Sequence, residues 1–414
     1  MTNDTHDVSF VTAILPTNSA KDVLVALTED EHANALVSQA RGSLLREDWW
    51  KAWIPSISPA KTKVQLLVPD QDLDRIVGLI VEHGRLHQQA AGAVFSLDSE
   101  QVYLGSKCQL INPNTTFPVH SDKHNLSSNL HVIFCVVGHD ASDRIAKVAI
   151  NAGAHGPIVY FVEGRGLRDR LGWLRITRDT EQEVLMIVVD GSDVDRIFNA
   201  IAKAGELHLP GRGFMYRLAV DKGMFNLPSR QSSHHADANM QQIINAIDHL
   251  SGHKHWRDQS AFQRDAGKGH ISTNLPHTQS YLQDRRCFTA IVERDKSEIM
   301  LELLLDNGAP GLNLSYSKLL SEDEESHLAH ASVNQEYCVI RCIVEATIAS
   351  QIYRGIESQS EAVGLHDLCV ITHQVPLVST YNPNRTDYRK KLNQPASLLH
   401  PLANKTSVVD AKIT

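Results

Sequence analysis

Several classes of function are excluded by what this sequence lacks. Cysteine is sparse, 6 in 414 residues, and no CxxC pair occurs. Cys135, Cys287, Cys338 and Cys342 fall in apolar, strand-like runs and read as reduced, buried thiols. No apolar run reaches the roughly 20 residues that span a bilayer, and the polar N-terminus MTNDTHD is no secretory signal. A basic excess is missing too. The formal charge is -8, whereas a nucleic-acid binder needs a cationic face to neutralise phosphates. No GxxxxGK[ST], HExxH or GxSxG motif is present, and His139-Asp140 and Ser232-Ser233-His234-His235 make no triad by sequence. These absences predict a cytoplasmic chain without a transmembrane span, nucleic-acid partner, catalytic residues or catalytic cofactor. Hydrophobic residues at 42% and charged residues at 21% are ordinary for a globular chain, and the 22 histidines are the one compositional oddity.

What is present is repetition. Val64–Leu97 and Val184–Leu218 share a pattern with one inserted residue. Asp72-Leu73-Asp74-Arg75-Ile76 lies on Asp193-Val194-Asp195-Arg196-Ile197, Gly84-Arg85-Leu86-His87 on Gly205-Glu206-Leu207-His208, and Gly92 on Gly213. A fainter third copy runs from Tyr337 to Val375. Its preceding half fits the second copy without a gap, Asn151–Gly156 lying on Asp306–Gly311. A period near a domain length means tandem domains. Periodicity gives each copy the order βαββαβ. In the second copy the strands are Val132–Val137, Ile158–Val162, Val184–Val189 and a run from Gly211 or Gly213 to about Val220. Its first helix is capped by Asp140 or Ser142 and its second, Ser192–Ala204, by Ser192 or Asp193.

The predicted class is α+β, three tandem ferredoxin-like domains. The boundaries read 8–105, 129–225 and 285–380, with a His-rich linker at 226–284 and a tail at 381–414. The stretch Leu110–Ser128 reads as a linker, and Met240–Leu250 as a docked amphipathic helix. A βαββαβ unit covers one sheet face with its helices and leaves the other bare, and sister copies can cover it.

The second copy resembles the PII-like signalling proteins, nitrogen-regulatory relatives that sense nucleotides. Asn151–Gly156 (NAGAHG), Glu163–Gly166 (EGRG), Glu181–Val189 (EQEVLMIVV), Leu209–Gly213 (LPGRG), Ala219-Val220-Asp221 and the segment Met240–Arg257 carry the likeness. The resemblance implies that three fused copies build, in one monomeric chain, the trimer that the family builds from three subunits, with ligand clefts between neighbours. It also implies an adenine nucleotide (ATP, ADP or AMP) as effector and a transporter or metabolic enzyme as protein target.

Within that resemblance the expected ligand residues are Gly164, Arg165, Gly166, Pro210, Gly211, Arg212 and Gly213. Glycines admit backbone N–H groups to a phosphate, and arginine adds bidentate bonds; the bland alternative is tight turns alone. The family's phosphate-binding lysine falls on Phe214 and its Mg-ATP glutamine near Arg168, which points away from paired ATP and 2-oxoglutarate sensing and leaves room for another adenylated ligand. Ala90-Ala91-Gly92-Ala93 and Gly364-Leu365-His366-Asp367 look degenerate. Arg168, Arg170, Trp173 and Arg175, with Trp49, Trp50 and Trp53 of the first copy, read as partner-binding loops. Two other readings stand beside the sensor: a scaffold with dead ligand sites, and a metal binder using His249, His253 and their neighbours.

Overall fold

The structure, a computed structural model, describes residues 8–30, 34–42, 60–88, 91–111, 126–139, 141–166, 181–226, 281–320 and 335–381. It is mixed α+β with a large antiparallel sheet. The first unit holds β1 (Val8–Pro16), α1 (Thr17–Glu29), β2 (Ala35–Gly42), β3 (Ala60–Pro69), α2 (Leu73–His83), β4 (Gly92–Asp98) and a short added strand, β5 (Gln101–Leu104). The second holds β6 (Leu130–Gly138), α3 (Ser142–Asn151), β7 (Ile158–Gly166), β8 (Glu181–Asp190), α4 (Val194–Ala204), β9 (Phe214–Val220) and β10 (Gly223–Asn226). The third is prefaced by β11 (Tyr281–Leu282). It holds β12 (Arg285–Glu293), α5 (Ser297–Asp306), β13 (Gly311–Leu320), β14 (Glu336–Glu345), α6 (Ala346–Gln359), β15 (Cys369–Val375) and β16 (Leu377–Thr380).

Within each unit the strands pair antiparallel in the order fourth, first, third, second: β4-β1-β3-β2, β9-β6-β8-β7 and β15-β12-β14-β13. Alternation then assigns the faces. On β3, Val64, Leu66 and Val68 join Ile76, Val77 and Ile80 of α2 in a core beneath the helices. On β8, Leu185, Ile187 and Val189 meet Ile197, Phe198 and Ile201 of α4. On β14, Ile340, Cys342 and Val344 meet Ile352 and Ile356 of α6. The opposite faces of all three units share a fourth core, built on Phe10, Ile14, Phe95, Phe134, Tyr160, Tyr216, Cys287, Val339 and Ile371. Each such side chain contributes about 1.5–3 kcal/mol on leaving water, and no unit alone can supply that burial.

Backbone pairing closes the same assembly in two cycles. The second strands pair with one another: β2 ends against the start of β7 (Arg41↔Val159), β7 ends against the start of β13 (Arg165↔Leu312), and β13 ends against the start of β2 (Leu319↔Leu36). The added strands extend a neighbour's edge. β5 pairs with β15, β10 with β4 and β16 with β9. Strand edges that would otherwise template aggregation are thereby used up within the chain.

The structure refines the repeat. One constant offset carries α2 onto α4, Gly84 onto Gly205 and β3 onto β8, so no insertion is needed and Val64 lies on Leu185. Arg85 and Glu206 both take left-handed backbone, at φ 53° and 51°. A second constant offset carries β6, α3, β8 and β9 onto β12, α5, β14 and β15. Of the expected caps, Asp193 keeps its position and that of α3 is corrected. Ala141 is the N-cap of α3, and Ser142, its first residue, spends its hydroxyl on Arg41. Asp193 is the N-cap of α4 but makes no side-chain cap bond, because its carboxylate pairs with Arg196 at 2.5 Å. Strands also outrun their apolar runs: β7, expected over Ile158–Val162, continues through Glu163 to Gly166. Leu110, at the start of the stretch read as a linker, is buried in the shared core, and residues 112–125 lie outside the described residues. The helix expected at 240–250, the histidines at 234–255 and the tail from 382 lie outside the described residues.

Candidate functional site

The two glycine–arginine loops of the second unit stand at one end of its sheet; the first meets the third unit directly, and the second leads into β9, which pairs with the third unit's β16. Gly164, Arg165 and Gly166 close β7, opposite Asn313, Leu312 and Gly311 of β13. Gly213 precedes Phe214, which pairs with Thr380 of β16. Between them the row runs through Val136 (opposite Phe214), then Gly138 and Gln182, and Gln182 again opposite Val162. Three inter-strand steps separate the loops, roughly 14 Å laterally.

Local sequence explains each loop. Gly213 has φ 109°, and a Cβ there would stand 2.0 Å from the Val136 carbonyl oxygen, so only glycine lets β9 start against β6. Gly211 has φ 78°. A Cβ on Gly164 would meet the Gln182 side chain at 2.8 Å, which a flexible amide can vacate. The glycines therefore divide: Gly213 is a turn requirement, whereas Gly164 is crowded only by a movable side chain of its own unit.

Both arginines are engaged by carboxylates. Arg165 lies 2.6 Å from Glu163 and 3.5 Å from Glu298, at the start of α5 in the third unit. Its Nε is buried without an acceptor. Arg212 pairs with Glu206 at 3.2 Å, with both side chains about half exposed. Tyr316 of β13 donates to Glu163 at 3.3 Å and carries the Arg294 guanidinium 4.7 Å over its ring. Burial pushes the Tyr316 hydroxyl above its ordinary pKa, with Cys338 and Glu163 adding to the effect. An anionic ligand at this seam would compete with Glu298 and Glu206 for guanidinium groups already in place.

The first and second units meet through a comparable contact that sequence did not single out. Arg41, near the end of β2, donates to Asp143 at 2.7 Å, to Ser142 at 3.0 Å and to Glu183 at 3.3 Å. Burial works against its charge, but Asp143 and Glu183 outweigh that and hold its pKa above the ordinary value. Glu183 is 2% exposed. Nothing local in Ala40-Arg41-Gly42 announces this, because its partners arrive about a hundred residues later. Glu298 was missed for the same reason.

Of the expected site residues, Gly164, Arg165 and Gly166 lie against β13 of the third unit, whereas Pro210, Gly211, Arg212 and Gly213 lie in the loop before β9, where Arg212 pairs with Glu206 of its own unit. Trp49, Trp50, Trp53, Arg168, Arg170, Trp173 and Arg175 lie outside the described residues. Among the described residues no group of three or more His, Cys, Asp or Glu could hold a metal ion, and no helix is long and apolar enough to cross a membrane. The described cysteines are unpaired, and burial pushes the Cys135 thiol up to about 12.

No protein-family model matches the chain, and no curated protein matches it. Among solved structures, PII of Arabidopsis thaliana bound to citrate is 19% identical, over 24% of this chain and 81% of that one, with a TM-score of 0.19. Aspartate kinase from Synechocystis is 9% identical, covering 89% of this chain and 43% of that one, also with a TM-score of 0.19.

Proposed function

We propose that this chain is a PII-like regulator, not an enzyme: three ferredoxin-like domains folded as an intramolecular pseudo-trimer, sensing a small effector between the second and third. An adenine nucleotide (ATP, ADP or AMP) is the class of effector that two glycine–arginine loops at one end of a sheet suit. The observation that carries this is that EGRG and LPGRG, about 45 residues apart in sequence, stand at one end of the same sheet, EGRG against β13 of the third unit and LPGRG leading into β9, which pairs with that unit's β16. Phosphate oxygens would take the backbone N–H groups of Gly164 and Gly211 and draw Arg165 from Glu298. Releasing Glu298 loosens a contact between units at the root of the 167–180 loop. The ligand shifts loop states only as far as it prefers one of them, and by linkage the partner changes ligand affinity equally. The partner would be a transporter or metabolic enzyme engaged through Trp49, Trp50, Trp53, Arg168, Arg170, Trp173 and Arg175, in the cytoplasm.

Thermal-shift measurements with ATP, ADP and AMP test this. Ligand at a hundredfold over its dissociation constant adds about 2.7 kcal/mol of stability, so at least one nucleotide should raise Tm. A flat response at millimolar ligand would favour the scaffold, which Phe214 at the lysine position already suits.

A further inference from the structure

The ligand loop of the third unit has a counterpart occupant within this same chain. α4 and α6 end, and β9 and β15 begin, at the same constant offset, so the two intervening loops correspond residue by residue. Arg212 then lies on Asp367, Gly211 on His366 and Glu206 on Glu361. At the one position where the second unit offers a guanidinium, the third offers a carboxylate. A loop with Glu361 and Asp367 in place of a paired arginine repels phosphate and accepts N–H donors.

Donors are what it receives. Directly after β5, residues 105–111 of the first unit lie along this loop. Gly105 N–H donates to the Leu368 carbonyl at 2.7 Å and Lys107 N–H to the His366 carbonyl at 2.9 Å. Ser106 N–H donates to Glu361 at 3.4 Å, and Gln109 N–H to Asp367 at 3.1 Å. Tyr337 donates to the other Asp367 oxygen, and His366 Nδ1 sits 3.0 Å from Glu361. A Cβ on Gly105 would stand 2.2 Å from the His366 carbonyl oxygen, so the approach requires glycine. Leu110 is buried in the shared core beyond the clamp.

We propose that Glu361–Leu368 is a peptide clamp whose occupant is residues 105–111 of the same chain. It closes the seam between the third and first units and leaves the effector at most the other two. The limit on effector number rests on the function proposed above; the clamp does not. Three seams that are alike in backbone would thereby be unlike in use.

Hydrogen exchange on the full chain decides it. In the wild type the amides of Gly105, Lys107 and Gln109 should be protected. In Glu361→Gln/Asp367→Asn, which keeps shape and removes charge, a peptide over 105–110 should exchange roughly tenfold faster or more while β15 keeps its protection. Gly105→Val, which forces the segment off by a clash with the His366 carbonyl while the loop keeps its own sequence, should give the same release. Unchanged exchange at 105–110 in both variants would overturn the clamp, as would native mass spectra showing three ATP molecules on one chain. Absence of ATP binding bears on the proposed function, and the exchange result still decides the clamp.

Discussion

Lys63 of the first unit holds its ammonium 4.2 Å from the ring centroid of Tyr160 in the second. The same Tyr160 hydroxyl accepts a hydrogen bond from Arg341 of the third at 3.4 Å. All three units thus meet at one aromatic ring, with two cations beside it. Burial, reinforced by the Arg341 charge, brings the Lys63 pKa down to about 7 from 10.5.

The unfolded chain therefore binds more protons than the folded one between pH 7 and 10.5. Stability contributed here rises with pH across that window, and the cost of burying the charge is fully present below it. Lys63→Met keeps the length and removes the charge, so it should stabilise the protein by on the order of a few kcal/mol near pH 6. The gain should shrink steadily above pH 7. Urea denaturation at pH 6, 7.5 and 9 reads this directly; a destabilised variant, or a gain independent of pH, would contradict it.

Arg41→Ala leaves the buried Glu183 carboxylate without its guanidinium across the seam between the first two units. Removing one partner of a buried pair costs about 3–5 kcal/mol. The Arg41 side chain is 27% exposed, so solvent screening reduces this to roughly 1–3 kcal/mol. Arg41→Ala/Glu183→Gln should recover much of the loss. A double-mutant cycle by chemical denaturation measures the coupling, and additive losses would show the pair to be inert.

Glycines that look alike in sequence should respond differently. Gly213→Ala forces a Cβ to within 2.0 Å of the Val136 carbonyl oxygen at φ 109° and should cost roughly 3 kcal/mol or more. Gly364→Ala, at φ 81° with nothing within 4 Å, meets only the left-handed backbone penalty, about 1 kcal/mol. Equal melting temperatures for the two variants would refute the packing described for the start of β9.

Sequence made the element order legible because helices and strands announce themselves by local period. Asp72–Ile76 and Asp193–Ile197 even carried the repeat by identity. What it hid comes from neighbours distant in the chain. Lys61 and Lys63 precede the apolar run VQLLV, yet both are buried, and Lys63 lies over Tyr160 of the second unit. β14 shares little identity with β8 but has the same length and faces, since packing constrains volume and alternation more than residue type. In the site, the glycine–arginine loops were readable as motifs. Their engagement by Glu298 was not, nor was the peptide seated on Asp367, because each needs a partner from another unit.

Isothermal titration of ATP, ADP and AMP into the wild type, Arg165→Ala and Arg212→Ala tests the proposed sensing seam most directly. Neither substitution touches a core residue, so both variants should fold. At least one nucleotide should bind the wild type, and each arginine variant should bind it about tenfold or more weakly, the loss of one charge-assisted contact. Equal affinity in all three proteins would place the ligand elsewhere, and no heat with any nucleotide at millimolar concentration would contradict a nucleotide-sensing seam altogether.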